Sequence, residues 1–543
     1  MPLNPGTGSF LQDPAGNVVQ TNDAMLYPIG IQNFESLRKR GCVYVDKTEK
    51  IHRLVSTGKY YLLIRPRRFG KSLLVSAIKS YMEGQKELFR GLALERLETQ
   101  WAEHPILHLD FVGKWYNGRD SLTETLEYHL ERWEEEYSVR GEGDHGTRFQ
   151  RVIDAAYSAT GRQVVILIDE YDKPMTDNLG NPGLLEHFRR QMQDFYDAMK
   201  AKDGCIRLAF FTGVARIGGQ SVFSGLDSLR DISLDPEYSD ICGISGSDIM
   251  EYFPEAVREL ASAEGISIGE CLARLKDKYD GYHFSKDSEG MYNPVSLLNT
   301  FANNRLDNYW FLTGSPDYLM EVMQRTSFDI TKLTKEKVDA IQLGCIDTEH
   351  GNPTIPLLYQ SGYLTIKGYD GELSLYHLGF PNREVKTGLL DAMFLYYIPV
   401  SCMSGMVLIS KLARAAWGGR PGEMMKLLEG LFARANYPIE GDPEKDFQDA
   451  MYIIFELLGE YVNTEYQTGN GRIDILLQTE KYIYIIEMKA DGSADEALGQ
   501  TREKGYFQTF ADDKRRVYRI GVNFSKESRR ITGWKVEQPG HMA

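Results

Sequence analysis

Cysteine is scarce in this chain of 543 residues, which contains six cysteines and no C-x-x-C pair. So few and so widely spaced cysteines exclude a disulfide scaffold and argue against zinc-finger and redox-dithiol sites. No apolar run approaches the ~20 residues of a transmembrane helix. The first basic residue is Arg38, so the charged start of a signal peptide is missing. We therefore expect a cytoplasmic protein.

Positive charge is also in deficit, with 62 Lys and Arg against 77 Asp and Glu and a net charge of −15. An acidic total argues against nonspecific coating of nucleic acid over the whole surface, but it does not exclude a local basic groove. With 42% apolar and 26% charged residues, the composition is that of a soluble globular protein. One hydrophobic core supports only roughly 250–300 residues, so we expect about two to four domains.

The first half of the chain alternates short apolar runs with longer mixed segments between Tyr60 and Ile232. Runs that are apolar on both faces are typical of central strands in a parallel sheet, and the segments between them are long enough for crossover helices. The predicted strands are Tyr60–Ile64, Ile106–Leu109, Val164–Ile168 and Ile206–Phe211. This half is therefore predicted to be α/β, whereas helical spacing from Pro236 to Arg434 predicts a mainly helical middle region.

The C-terminal segment shows a mixed pattern of helix, three strands, helix and strand. Asn470-Gly471 lies between the first two predicted strands and is a strong tight-turn signal. The predicted elements are, in order, Asp446–Tyr461, Tyr461–Tyr466, Ile473–Leu477, Tyr482–Met488, Ala494–Phe510 and Val517–Val522. Because residues 436–443 contain Asn, Pro, Gly and Asp, we place a domain boundary there and predict a small separate α/β module.

A phosphate-binding motif follows the first predicted strand, where Arg65-Pro66-Arg67-Arg68-Phe69-Gly70-Lys71-Ser72 opens a predicted helix. Gly70 lets backbone N–H groups face a phosphate, Lys71 reaches its outer oxygens, and the Ser72 hydroxyl holds Mg²⁺. Arg65 stands where the usual motif has its first glycine, and this departure weakens the motif taken alone.

A second, acidic element supports the phosphate site. The apolar strand Val164–Ile168 ends in Asp169 and Glu170, and strand ends are where ligands bind in such sheets. Asp169 is predicted to hold Mg²⁺, and Glu170 to orient and deprotonate the attacking water. Thr212 and Arg216 follow the next strand and are candidates for contacts with the water and the γ-phosphate. A strand-end threonine and a solvated arginine are the alternative interpretations.

Several separated motifs resemble the bacterial AAA-ATPase-like family over roughly residues 25–310. They are Tyr44-Val45-Asp46-Lys47-Thr48, Arg65–Ser72, Ser221–Leu226, Tyr279-Asp280-Gly281-Tyr282 and Tyr292-Asn293-Pro294. In that family the arginine-rich P-loop is normal, so Arg65 looks like a family trait. Arg67 and Arg68 are candidates to contact either phosphate or an acidic neighbouring surface. The resemblance implies a P-loop core that uses ATP and Mg²⁺, followed by a helical lid. It is compatible with a homo-oligomer in which Arg216 or Arg230 completes a neighbour's site.

A second candidate site lies in the C-terminal module. Asp474 starts the second predicted strand there, and Glu487 ends the third, so the two carboxylates can meet at one end of a hairpin. Two carboxylates provide the hard oxygen ligands that Mg²⁺ prefers. Lys489 lies two residues after Glu487 and therefore points to the same face. A lysine beside a metal can position or help deprotonate a water that attacks a phosphodiester.

This arrangement resembles the PD-(D/E)XK nuclease superfamily over roughly residues 444–525, in its form fused to the ATPase-like family. Ile473 replaces the proline that usually precedes the aspartate. Glu465 and Gln500 are candidate auxiliary residues, although Gln500 lies farther from Tyr506 than in some relatives. The alternatives are an ordinary Glu–Lys surface pair, or a retained fold that has lost cleavage.

A nuclease must bind nucleic acid, and the binding surface on this module must be local. From residue 441 to 543 the chain has 14 Lys and Arg against 18 Asp and Glu. The basic residues form two groups, Lys514, Arg515, Arg516 and Arg519, and Lys526, Arg529 and Arg530. The two groups predict either one phosphate-contacting edge or a solvated face.

Together these patterns predict a flexible tail at 1–24, a P-loop ATPase domain at 25–235, a helical lid and connecting region at 236–435, and a nuclease-like domain at 436–543. The predicted function is ATP hydrolysis coupled to Mg²⁺-dependent phosphodiester cleavage of DNA or RNA. The alternative is a nucleotide-switched scaffold whose nuclease-like domain is inactive, and a third reading is an ATPase that acts on protein partners.

Overall fold

The computed structural model describes residues 10–12, 18–20, 25–139, 141, 143–217, 222–223, 225–226, 228–311, 317–326, 328–330, 333–334, 336–346, 353–397, 402–433, 443–459, 463–466, 474–503, 510 and 513–538. Most of the predicted tail, the predicted turn Asn470-Gly471 and residues 436–442 of the predicted boundary lie outside these residues, as do Ser221, Ser224, Ile473 and Tyr506.

The chain forms two compact units. The first comprises residues 1–309 and 339–376, and the second comprises residues 310–338 and 377–543. The four domain ranges proposed from the sequence remain predictions. Near the N-terminus, strands β1 (Phe10–Gln12) and β2 (Val18–Gln20) pair antiparallel.

A five-stranded parallel sheet lies at the centre of the first unit, with strand order β4-β5-β6-β3-β7. Its strands are β3 (Tyr60–Ile64), β4 (Ile106–Asp110), β5 (Val164–Asp169), β6 (Ile206–Gly213) and β7 (Arg230–Asp231). The α/β prediction is confirmed, and three of the four predicted strands are longer at their carboxyl ends. Every residue of β3 and β5 is buried, as expected of central strands that helices cover on both faces.

Helices connect these strands, and local signals fix their ends. Helix α6 is capped at its start by Asp144, whose side chain accepts a hydrogen bond from the Thr147 N–H, and at its end by the left-handed Gly161. The helices are α1 (Phe34–Lys39), α2 (Thr48–Thr57), α3 (Lys71–Met82), α4 (Ala93–Leu97), α5 (Ser121–Glu136), α6 (His145–Thr160), α7 (Lys173–Thr176) and α8 (Pro182–Ala201).

A helical region follows the sheet within the first unit. Its first helix is fixed by a capping box between Ser245 and Asp248, and its helices share an apolar core that includes Phe253, Leu275 and Phe301. The elements are β8 (Ile244–Ser245), α9 (Gly246–Tyr252), α10 (Pro254–Glu264), α11 (Ile268–Tyr279), β9 (Met291–Tyr292) and α12 (Pro294–Asn303). This part of the predicted middle region is helical, as its spacing indicated.

The chain then passes between the units. The second unit contributes α13 (Asp317–Arg325) and β10 (Lys337–Val338). The first unit continues with α14 (Ala340–Gly344), α15 (Thr354–Gln360) and β11 (Thr365–Asp370), and β12 (Leu375–Gly379) crosses the boundary between the units.

The second unit combines helices with a mixed sheet of order β13-β14-β15-β16-β17. Its elements are α16 (Arg383–Tyr397), α17 (Cys402–Trp417), α18 (Pro421–Phe432), α19 (Pro443–Leu458), β13 (Asn463–Tyr466), β14 (Ile475–Gln478), β15 (Tyr482–Ala490), α20 (Ala494–Glu503), β16 (Arg516–Ser525) and β17 (Arg530–Glu537). The predicted order of helix, three strands, helix and strand is present. The sequence did not predict the final strand β17, because charged and polar residues interrupt its apolar pattern.

Within the described residues, no helix combines the length and apolar character that a membrane span requires.

Candidate active sites

The P-loop connects β3 to α3 at the carboxyl end of the sheet. Gly70 adopts a left-handed conformation with φ of 90° directly before the first turn of α3, which a residue with a side chain rarely adopts. The buried Lys71 ammonium donates hydrogen bonds to the carbonyl oxygens of Arg65 at 3.0 Å and Pro66 at 3.2 Å. Burial lowers the pKa of Lys71, whereas the carboxylates of Glu170 and Asp169 raise it.

Arg65 explains how the loop dispenses with its usual first glycine. The side chain is fully buried, and its guanidinium donates to the carbonyl oxygens of Ile64, Ser233 and Tyr238, each at 2.9 Å. It also lies 4.1 Å from the ring centre of Phe284, within the range of a cation–π contact. Burial lowers the pKa of this guanidinium. Arg65 therefore anchors the loop from inside the protein instead of facing the phosphate.

The Tyr279–Tyr282 motif acquires a structural role beside this loop. The ring of Phe69, in the P-loop, makes edge contacts with Tyr282 at 4.7 Å and Phe284 at 5.2 Å between ring centres. The helical region thus packs directly on the phosphate-binding segment within the first unit.

The predicted acidic element lies at the carboxyl end of β5. Strand β6 separates β5 from β3 in the sheet, so the loops after three neighbouring strands meet at one edge. The buried Thr212 hydroxyl donates to Asp169 Oδ1 at 2.5 Å, and the Glu170 N–H donates to the same oxygen at 3.1 Å. The backbone of Glu170 has a φ of 50°, in the left-handed region that residues with a side chain seldom adopt. Thr212 thereby orients Asp169, while its predicted contact with an attacking water stays a prediction.

Asp172 is a buried carboxylate that the sequence interpretation did not single out. It accepts hydrogen bonds from the N–H groups of Val214 and Ala215, the latter at 2.7 Å. A Cβ at Gly213 would lie 2.4 Å from Asp172 Oδ1, so only glycine permits this approach. Burial raises the pKa of Asp172 to about 6, and the negative charge of Glu170 adds to the rise. The only sequence signal was its place two residues after Glu170.

The four candidate arginines lie in different surroundings. Arg67 is exposed, and Arg68 donates to the Tyr309 carbonyl at 3.1 Å. Arg216 forms an ion pair of 2.9 Å with Asp231 beside a cavity of about 230 Å³. Arg230 forms an ion pair of 2.6 Å with Asp235. The structure thus engages Arg216 and Arg230 with acidic residues of the same chain, and their roles toward phosphate stay predictions.

The residues at this edge fit a nucleotide with a divalent cation. The Lys71 ammonium is held by uncharged carbonyl oxygens, which compete weakly with phosphate for it. Ser72 is partly exposed at the helix start, and Asp169 is oriented by two donors. A hydroxyl and a carboxylate are oxygen ligands of the kind that Mg²⁺ accepts beside substrate phosphates.

The second candidate site lies in the second unit, at the start of β14 and the end of β15. The antiparallel register pairs Ile475 with Ile486, so Asp474 lies opposite Glu487. Asp474 Oδ2 accepts from the Met488 N–H at 2.8 Å, and Glu487 Oε2 accepts from the Asp474 N–H at 3.3 Å. The two predicted carboxylates are thus brought together by the hairpin, as their positions in the sequence indicated.

Lys489 shares the face of β15 that carries Glu487, and helix α20 covers part of this face. The parallel register pairs Glu487 with Gly521 and Lys489 with Asn523. A Cβ at Gly521 would lie 2.3 Å from the Ala494 carbonyl oxygen, so glycine is needed for α20 to pack there. Gln500 lies on α20. Glu465 pairs with Leu476 in the backbone ladder, and its side chain is outside the described residues.

Asp474 and Glu487 fit a magnesium site of the minimal kind. In the described part of the chain, no group of three or more His, Cys, Asp or Glu side chains is arranged to hold a metal ion. Mg²⁺ usually keeps several waters and takes only one or two carboxylates from the protein. A pair of adjacent carboxylates is therefore an adequate donor set for Mg²⁺ and an inadequate one for a structural zinc.

Comparison with known proteins assigns each of the two stretches that contain these sites to a family. Residues 28–223 match the family model described as "Predicted AAA-ATPase", and residues 442–534 match that of the PD-(D/E)XK nuclease superfamily. A protein of Azotobacter chroococcum mcd 1, described as "Uncharacterized protein in vnfD 5'region", is 32% identical over 534 residues, which cover 94% of this chain and 99% of that protein. The resemblance inferred from the motifs is confirmed: the chain belongs to the AAA-ATPase-like family and carries a C-terminal domain of the PD-(D/E)XK nuclease superfamily.

Proposed function

We propose that this protein hydrolyses ATP in its first unit and cleaves phosphodiester bonds of nucleic acid in its second unit, with ATP controlling cleavage. The observation that carries the nuclease half is the pairing of Asp474 with Glu487, with Lys489 on the same face of β15. The ATPase half is supported by the buried Lys71 ammonium at the start of α3 and the oriented Asp169 at the neighbouring strand end.

In the ATPase site, Lys71 would exchange its carbonyl partners for oxygens of the β- and γ-phosphates, which attract an ammonium more strongly. Ser72 and Asp169 would hold Mg²⁺, which when bound neutralises charge that develops on the phosphate oxygens. Glu170 would accept a proton from the attacking water, and Thr212 would keep Asp169 in position. Arg67 and Arg68 are further candidates for phosphate contacts.

In the nuclease site, Asp474 and Glu487 would hold Mg²⁺, which when bound stabilises negative charge on the scissile phosphate. Lys489 would orient the attacking water and help it to lose a proton. The substrate is nucleic acid, with DNA and RNA both compatible with these residues. We further propose a cytoplasmic protein that assembles as a homo-oligomer, with Arg216 or Arg230 acting at a neighbouring site.

The experiment that tests this function is a cleavage assay on plasmid DNA and on RNA with Mg²⁺ or Mn²⁺, in the presence and absence of ATP. We expect metal-dependent cleavage that is lost in Asp474→Ala and Lys489→Ala. ATP turnover, measured separately, should be lost in Glu170→Gln. Asp495→Ala, an exposed carboxylate on α20, serves as a control that should cleave normally.

The results of these assays distinguish the proposed function from its alternatives. Equal cleavage rates with and without ATP would remove the coupling but keep both activities. Absence of cleavage under every metal and nucleotide condition would favour a nucleotide-switched scaffold. ATP turnover without affinity for nucleic acid would instead indicate an ATPase that acts on protein partners.

A further inference from the structure

The two basic groups of the C-terminal sequence lie at opposite ends of strand β16. Lys514, Arg515 and Arg516 stand at its start, and Lys526, Arg529 and Arg530 follow its end. The strand runs from Arg516 to Ser525, which at ~3.3 Å per residue separates the groups by about 30 Å. The groups therefore do not form one continuous edge.

The register shows which end belongs to the candidate nuclease site. Strand β15 runs parallel to β16, with Tyr482 opposite Arg516 and Lys489 opposite Asn523. The start of β16 thus lies at the end of the sheet remote from Glu487 and Lys489. The turn after β16 lies at the same end as the candidate site.

The basic group at the remote end is partly neutralised within the protein. Arg515 donates to Asp513 through two nitrogens, at 3.0 and 2.6 Å, and also to Gln478 at 2.9 Å. Arg519, farther along the strand, forms an ion pair of 3.2 Å with Glu537. Arg515 and Arg519 thus have acidic partners within the module itself.

The group at the near end forms the turn between β16 and β17, which we call the basic turn (residues 526–530). It carries three basic side chains and Glu527, hence a net charge of +2. The Lys526 N–H donates to Asp491 Oδ1 at 2.9 Å, which ties the turn to the end of β15. Arg530 is exposed and pairs with Ser525.

Side chains alternate between the two faces of β16, and this alternation places Arg530 on the face of the candidate nuclease site. Asn523 lies opposite Lys489, and Ser525 is two residues farther on the same face. Arg530, opposite Ser525, therefore shares the face that carries Lys489. Two strand spacings of ~4.8 Å and two residues of ~3.3 Å put its Cα about 12 Å from that of Lys489.

We propose that the basic turn is the phosphodiester-binding subsite of the nuclease unit, with Lys526 and Arg530 contacting the substrate backbone a few nucleotides from the scissile bond. The proposal rests on the proposed nuclease function and adds the surface along which the strand enters. Backbone phosphate is the ligand, because a turn with a net positive charge and the exposed Arg530 offers charge without the shaped edges that base recognition requires.

The test compares two matched pairs of substitutions. Lys526→Gln with Arg530→Gln removes two positive charges from the basic turn, and Lys514→Gln with Arg516→Gln removes the same charges from the remote end. All proteins carry Asp474→Ala so that the probes stay intact. The dissociation constants for a labelled duplex DNA and a labelled single-stranded RNA are measured with Mg²⁺ between about 50 and 200 mM salt.

We expect the pair at the basic turn to weaken binding at least tenfold, about 1.4 kcal/mol, and the remote pair to change it less than about twofold. Loss of two phosphate contacts should also reduce the slope of log affinity against log salt by about 1.8 for duplex DNA or about 1.4 for single-stranded RNA. The probe with the larger loss identifies the substrate class.

Equal effects of the two pairs, or no effect of either, would overturn this proposal while the nuclease function stands. If the Asp474→Ala protein without further substitutions binds neither probe, the proposed function fails at its substrate and the subsite fails with it. Thermal unfolding of both pairs checks that the turn variant remains folded, and a loss of binding with unchanged melting supports the subsite.

Discussion

Replacing Thr212 with valine removes one hydroxyl from the proposed ATPase site and changes the shape of the side chain very little. Thr212 is fully buried, and its hydroxyl donates to Asp169 Oδ1 at 2.5 Å. Valine has nearly the same shape and prefers β-strands, so β6 should keep its packing. Thr212→Ser keeps the hydroxyl and loses only a methyl group, which makes it the matched control.

The magnitude follows from the bond that is lost. A hydrogen bond to a charged group is worth about 1.5–3 kcal/mol. If the full value is lost where Asp169 holds the metal in the transition state, kcat for ATP falls about 10- to 150-fold. KM should change less, because Lys71 and the helix start still bind the phosphates. Steady-state ATP turnover with saturating Mg²⁺ measures both constants.

A Thr212→Val protein that hydrolyses ATP at the wild-type rate would refute this account of Asp169. A serine variant that fails as badly as valine would also refute it, since the hydroxyl would then be unimportant. A loss of melting temperature confined to valine would point to packing instead of positioning.

Three further predictions concern other buried positions. Arg65→Met should lower ATP affinity at least about tenfold in an equilibrium binding measurement, because three carbonyl oxygens lose their donor. The control, Arg162→Met, changes an exposed residue at the far end of the sheet and should leave the affinity unchanged. Burial raises the folded-state pKa of Asp172 from 3.8 to about 6, so the folded chain binds this proton more tightly and stability should fall as pH rises from about 4 to about 6. Asp172→Asn should flatten that part of the melting-temperature profile, and an unchanged profile would contradict the assignment. Gly521→Ala should abolish cleavage by forcing α20 from the sheet, whereas Gly533→Ala, where a Cβ meets nothing within 4 Å, should cleave normally.

The P-loop shows why the site could be only partly predicted. Gly70, Lys71 and Ser72 are adjacent in the chain, so a short motif suffices to find them. The anchoring of Arg65 depends on carbonyl oxygens of Ser233 and Tyr238, far along the sequence. No local sequence pattern predicts such contacts, and in the sequence a buried arginine cannot be distinguished from a surface arginine.

The sequence by itself determined four strands of the first sheet, four strands of the second, the two families and the candidate site residues, because apolar periodicity and short motifs are local properties. It also determined that Asp474 and Glu487 would meet, since a hairpin fixes which residues are opposite. Only the tertiary structure decided that β6 lies between β3 and β5, that Thr212 holds Asp169, and that Asp172 joins two loops. It also placed the two basic groups at opposite ends of a strand instead of along one edge, because a strand extends by ~3.3 Å per residue.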